Sequence, residues 1–245
     1  MNTIRTYILK SQSTATSDRK LLREYVDEKT SYLLFKRAFD IFFSACFLLF
    51  VGTWLFPLIT ILVWLDSRGP VFFVQKRVGK GGKTFLCIKF RTMIVNREAN
   101  KKQAEVNDHR ITRIGQFLRN SSIDEIPQFI NVLLGHMSVV GPRPHMHSDC
   151  TRFGRIVTGY KFRNFIKPGI TGLAQVKGFR GPACDFESIF HRYQFDAFYV
   201  RNCNFWLDMR IVRKTIAQTI SVIFFKRFVS KPEVDSHFNL SLEKV

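Results

Sequence analysis

Asp124 and Glu125 stand side by side in Ser121-Ser-Ile-Asp-Glu-Ile-Pro127, and basic residues lie on both sides of them in sequence, at Lys89, Arg91, Arg119 and Arg143. A carboxylate can attack phosphorus to give an acyl-phosphate, and a neighbouring carboxylate can hold Mg²⁺ through hard oxygen ligation. The cations suit a phosphorylated substrate. Arg143 is the most informative of them, because it lies between two prolines in Gly141-Pro-Arg-Pro144. Prolines fix φ, so a guanidinium on that loop is pre-oriented for bidentate phosphate contacts. Plainer readings stand beside these. Ser122 and Glu125 have the S-x-x-E spacing of a capping box, although Pro127 would then fall where it costs a helical hydrogen bond. Lys89, Arg91 and Arg119 could form a solvated basic surface, and Arg143 could belong to an ordinary turn. His145-Met-His147 lacks the further ligand pattern that a metal site needs. Gly79-Lys-Gly-Gly82 lacks P-loop spacing and reads as a hairpin turn.

The elements that would position these groups begin with an apolar one. Residues 41–65 carry no charge, which is long enough to cross a bilayer at about 20 residues per crossing. Lys36 and Arg37 precede the segment; Arg68, Lys76 and Arg77 follow it. Positive charge marks the cytoplasmic side of a membrane segment, and here both ends carry it. A helix that enters, breaks at Pro57 and returns would keep both ends cytoplasmic, since an interior proline removes a hydrogen bond and kinks the chain. A single spanning helix fits the length equally well, and charge and proline alone do not choose between the two.

Beyond residue 65 the pattern predicts short strands over 71–74 and 85–88, and helices over 110–118 and 126–134. A loop-rich portion with Gly-Pro turns follows, then helix from 187 to about 228. Its second part mixes Arg and Lys with Ile, Val and Phe, as a membrane-surface helix does. Residues 1–28 are polar and show no secretory h-region. With 38 Lys and Arg against 19 Asp and Glu, the net charge is +19, which calls for a polyanionic partner: anionic lipid headgroups, phosphorylated substrates or nucleic acid. The 26 Phe have no polar handle and imply burial in protein or lipid. Five scattered cysteines, with no C-x-x-C pair, argue against a disulfide scaffold or a cysteine zinc site and read as free thiols.

Taken together and in order, six motifs resemble the bacterial sugar transferase family, the monotopic phosphoglycosyl transferases. They are Lys36-Arg-Ala-Phe-Asp40, Asp66-Ser-Arg-Gly-Pro-Val-Phe-Phe73, Lys89-Phe-Arg-Thr-Met93, Ser121-Ser-Ile-Asp-Glu-Ile-Pro-Gln128, Met137-Ser-Val-Val-Gly-Pro-Arg-Pro144 and Lys167-Pro-Gly-Ile-Thr-Gly-Leu-Ala-Gln175. The resemblance implies an α+β, monotopic membrane protein of the bacterial inner membrane. Its parts would be a polar arm (1–31), a re-entrant membrane helix broken at Pro57 (32–66), a small cytoplasmic catalytic domain of helices, short strands and long loops (67–229), and a tail (230–245). It implies transfer of a sugar-1-phosphate from a UDP-sugar to undecaprenyl phosphate, with Mg²⁺ as cofactor and no nucleic acid partner; a homo-oligomer is compatible with it. Asp124 matches the family's nucleophile and Glu125 its metal-associated partner. Lys89, Arg91, Arg119 and Arg143 match its phosphate-binding region, and Asp196 resembles a further acidic position. Gly178-Phe-Arg-Gly181 and residues 199–208 are similar to the glucose phosphotransferases of exopolysaccharide assembly, which makes UDP-glucose the leading donor. Three positions depart from the pattern: His136 stands for a usual Asp, Phe56 for Ser and Ala174 for Trp. Two other readings remain open at this stage: a catalytically inactive scaffold of a polysaccharide assembly complex, and a membrane-tethered nucleic-acid-binding module.

Overall fold

The computed structural model describes residues 29–95, 108–181 and 185–225. The tail expected over 230–245 and Cys184 lie outside these residues, as does all but the last three positions of the expected arm. Helix α1 (Thr30–Phe47) runs through a π turn (Leu48–Gly52) into α2 (Thr53–Asp66), making one 37-residue helix that is long and apolar enough to cross a membrane. Pro57 lies inside α2. The departure from α geometry therefore sits upstream of the proline, and the chain stays helical through it. Two side chains serve the carbonyls of the π turn: Thr53 Oγ1 donates to the Leu49 carbonyl (2.8 Å) and Trp54 Nε1 to that of Phe50 (3.0 Å). In apolar surroundings each backbone group needs such a partner. They supply locally the kind of donor that Phe56 cannot.

The hairpin of β1 (Phe72–Val78) and β2 (Thr84–Phe90) is antiparallel, with Phe73 opposite Lys89. Helix α3 (Arg113–Ser121) starts three residues later than its sequence pattern suggests, because Thr112 caps it by accepting from the Gly115 amide (3.0 Å). Only glycine fits at 115: a Cβ there would lie 2.1 Å from the Thr92 carbonyl oxygen. After α3, a 3₁₀ turn (Ile123–Glu125) leads to α4 (Gln128–Leu133). Strands β3 (Ser138–Val140) and β4 (Gly169–Thr171) pair in parallel, and between them run α5 (His147–Ile156) and the 3₁₀ segment Tyr160–Phe165. Then come the short α6 (Leu173–Val176), α7 (Phe186–Asn202) and α8 (Phe205–Phe225).

The main core gathers Phe129, Val132, Met137, Val140, Tyr199 and Ile211, with Phe43, Phe47 and Leu48 of the long helix packed against it. A second core joins Ile59 and Val63 of α2 to Phe90 and Leu118. Both halves of the apolar helix thus dock on the same body. Ala174, where the family resemblance implies a tryptophan, is buried beside Phe179 and Phe195.

Candidate active site

The backbone reverses at Ser122, whose φ of 60° is the only positive value at a non-glycine among the described residues. Left-handed backbone at such a residue is unfavourable and persists where the surroundings impose it. Ser122 makes no side-chain cap, so the S-x-x-E spacing is not a capping box here. The reversal instead turns Asp124 and Glu125 inward, where they are 8% and 5% exposed.

Their surroundings differ. Glu125 accepts a fork from Arg143, Nη1 to Oε2 at 3.0 Å and Nη2 to Oε1 at 2.7 Å, and a further bond from Lys89 Nζ to Oε1 at 2.5 Å. Burial alone would raise its pKa, but Arg143 and Lys89 overcome that and hold the carboxyl well below the usual range. Asp124 accepts no side-chain hydrogen bond among the described residues. Burial, with the repulsion of Glu125, pushes it up to about 6 against the pull of Lys89, Arg119 and Arg143.

Each cation has its own support. Asn131 of α4 accepts from the Ile88 amide (3.0 Å) and donates to the Leu86 carbonyl (2.7 Å), which ties β2, and so Lys89, to α4. Arg119 Nε donates to Thr92 Oγ1 at 2.8 Å. The Arg143 turn is held through four successive carbonyls. Pro142 accepts from the Gly169 amide (3.0 Å) and Arg143 from Arg163 Nη2 (2.6 Å). Pro144 accepts from Arg77 Nη1 (3.3 Å) and His145 from the Val78 amide (2.9 Å). Close approach makes glycine necessary at 169, where a Cβ would lie 2.1 Å from the Gly141 nitrogen.

Lys89, Arg119 and Arg143 therefore converge on the dyad. Arg91 does not. Its guanidinium donates to the Ser67 and Arg68 carbonyls and to Ser67 Oγ, so it secures the end of α2, where cations are favoured. Asp196 stands one step back, paired with Arg163 Nε (2.9 Å). His136 is exposed, with its ring 5.8 Å from that of Phe85, and touches neither carboxylate. Arg180, which the sequence offers only within the motif Gly178-Phe-Arg-Gly181, lies near the dyad as well. Its charge feels both Glu125 and Asp124, and its buried Nε has no partner among the described residues. His145 is buried and shares a hydrogen bond with the Tyr160 hydroxyl through Nδ1. Among the described residues no three His, Cys, Asp or Glu side chains converge as a metal cage, so a metal at the dyad would draw on these two carboxylates.

The family model described as bacterial sugar transferase matches residues 31–222. The chain belongs to the bacterial sugar transferase family. It is 42% identical over 200 residues to a UDP-glucose:undecaprenyl-phosphate glucose-1-phosphate transferase of Klebsiella pneumoniae, covering 81% of this chain and 41% of that protein. A protein of the same name from Xanthomonas campestris pv. campestris is 46% identical over 173 residues, 69% of this chain and 36% of its own length. The exopolysaccharide production protein PSS of Rhizobium leguminosarum bv. phaseoli is 43% identical over 77% of this chain and 96% of its own. This sugar transferase chain thus spans about two-fifths of the first two relatives and nearly all of the third.

Proposed function

We propose that this bacterial sugar transferase moves a sugar-1-phosphate, with glucose the leading sugar, from a UDP-sugar to undecaprenyl phosphate as the first step of exopolysaccharide or other glycan assembly. One observation carries the reading: of two adjacent buried carboxylates, Glu125 is locked by Arg143 and Lys89 while Asp124 keeps its oxygens free. A free, ionised carboxylate beside fixed cations suits nucleophilic attack on a diphosphate. An Asp124 oxygen would attack the phosphorus bonded to the sugar. The bond from that phosphorus to the bridging oxygen breaks, and UMP leaves with the electron pair. A phosphate oxygen of undecaprenyl phosphate would then attack the same phosphorus, breaking its bond to Asp124 and restoring the carboxylate. Lys89, Arg119 and Arg143 would neutralise the phosphate oxygens, and Arg180 offers a further donor.

Two carboxylates suit Mg²⁺, which binds through one or two carboxylates together with substrate phosphates. Glu125 would hold it, exchanging part of its present pairing, and the ion would supply charge neutralisation at the diphosphate.

A monotopic, re-entrant arrangement at the inner membrane, with the catalytic body in the cytoplasm, follows from the same proposal. It is supported by the docking of both helix halves on one body and by the apolar exposure of Leu49, Phe50, Trp54 and Leu58 between them. On α8, Trp206, Ile216, Ile220 and Phe224 are exposed beside the exposed Arg210, Arg213 and Lys214, as a helix lying on anionic lipid would have them.

The test is UMP release with Mg²⁺, undecaprenyl phosphate and a panel of UDP-sugars. Asp124→Asn is expected to abolish turnover and the covalent phospho-sugar adduct seen by mass spectrometry; an Asn variant that keeps either at wild-type level refutes the assignment. Absence of UMP release from the wild type would favour the scaffold reading.

A further inference from the structure

Arg143 can serve a diphosphate only if its guanidinium is aimed at the dyad, yet the turn that carries it belongs to no helix or strand. Arg77 reaches this turn at Pro144, but the side chain that bonds the Arg143 carbonyl itself is Arg163, in the 3₁₀ segment Tyr160–Phe165. Its Nη2 donates to the Arg143 carbonyl at 2.6 Å, its Nε donates to Asp196 Oδ2 at 2.9 Å, and Nη2 also lies 2.8 Å from that oxygen. Both partners of the Asp196 pair are 2% exposed. The same guanidinium lies over the Tyr160 ring, 5.3 Å from its centroid, and Tyr160 shares a 2.5 Å hydrogen bond with His145 Nδ1. One cation therefore grips the turn at residue 143 directly and at residue 145 through Tyr160.

A fully buried ion pair is a costly way to add stability, because desolvation offsets the Coulomb gain. What it does supply is direction. The planar guanidinium has donors in a fixed fork, so anchoring one edge on Asp196 fixes where the other edge holds the carbonyl. Asp196 comes from α7, which also carries Arg192, and Arg192 donates to the Gly181 carbonyl (2.5 Å) beside Arg180. Helix α7 thus sets the Arg143 turn from behind.

We infer that Arg163, anchored by Asp196, is the positioning residue that aims Arg143 at the dyad. It touches no reacting atom, and it acts through Arg143 alone. The inference rests on the reading of Arg143 as a ligand of the donor's phosphates.

A double-variant cycle on the full chain in lipid nanodiscs tests it. Arg163→Lys keeps the charge against Asp196 but cannot hold both partners with one rigid fork. It is expected to lower kcat/KM for the UDP-sugar about tenfold when Arg143 is present, and less than about twofold in an Arg143→Lys background, because residues that act through one another are not additive. UDP affinity, measured by calorimetry, should follow the same cycle. A merely structural role predicts equal losses in both backgrounds, and that outcome overturns the inference. Should Arg163→Lys fold poorly, the paired change Arg163→Met with Asp196→Leu removes both buried charges together, which a fold tolerates better than removing one. That variant should keep its melting temperature and still lose the tenfold in UDP affinity; full affinity would overturn the assignment. Absence of UMP release from wild type would sink the proposed reaction, while the UDP-binding cycle would still decide the role of Arg163.

Discussion

At the scale of single residues, the dyad works by giving two like groups unlike surroundings. Glu125 spends its oxygens on Arg143 and Lys89, so its charge is fixed. Asp124 is buried beside that fixed charge and is held less firmly, which keeps its carboxylate available. His145 shows the same logic on the far side of the Arg143 turn. Burial, then the fields of Arg163, Arg192, Arg77 and Arg143, hold its pKa well below the ordinary value. The native imidazole stays neutral while the unfolded one takes a proton below about pH 6.5. The unfolded state therefore binds more protons, and stability falls as pH drops, by at most about 1.4 kcal/mol per pH unit for this one group. Denaturant titrations between pH 7 and pH 5 should show this slope in the wild type and a flatter one in His145→Asn.

At the scale of elements, the family motif Lys36-Arg-Ala-Phe-Asp40 turns out to be a docking device. Lys36 pairs with Asp208 at 2.6 Å, Asp208 also accepts from Tyr32 and Tyr199, and Asp40 accepts from the Val139 amide. Arg37 donates to the Val132 and Leu133 carbonyls at the end of α4 (2.7 and 3.1 Å). At the other end of the long helix, Asp66 accepts from the Ile114 amide in the first turn of α3 (2.9 Å). The helices on either side of the dyad are thus each capped by one end of the apolar helix, with charges that suit their dipoles. Arg37→Met and Asp66→Ala should each cost about 1–2 kcal/mol in unfolding measurements. Each should also slow adduct formation at Asp124, which rapid-quench mass spectrometry can follow. In the π turn, Trp54→Phe should cost about 0.6 kcal/mol, the size of a typical hydrogen bond within the membrane.

At the scale of the whole molecule, the proposed reaction brings a soluble donor and a lipid acceptor to one site. The long helix is tied at both ends to the body that carries the dyad, so its two ends should lie on one side of the bilayer. Single cysteines placed at Thr30 and Ser67, in a background lacking the native ones, should both react with an impermeant maleimide from the cytoplasmic side. Labelling of one of them only from the opposite side would establish a spanning helix and overturn the re-entrant reading.

The dyad, its cations and the order of the motifs were legible in the sequence because each rests on residue type and local spacing. The two strands of the hairpin, α4 and the long final helices were legible too, since hydrophobic periodicity is a local property. What the chain order could not show is which cation faces which carboxylate. Lys89 and Arg91 are two residues apart on one segment, yet the first binds Glu125 and the second closes the end of α2. Asn131 carried no signal beyond being polar within an apolar stretch, and Arg163 none beyond being one of several cations in its segment. Pro57 announced a break, but the helix departs from α geometry upstream of it, where Thr53 and Trp54 can serve the carbonyls of the π turn. Sequence by itself determined the chemistry on offer. Only the packing of α1 and α2 onto α3 and α4, and of α7 behind the Arg143 turn, decided which groups meet, because those contacts join residues far apart in the chain.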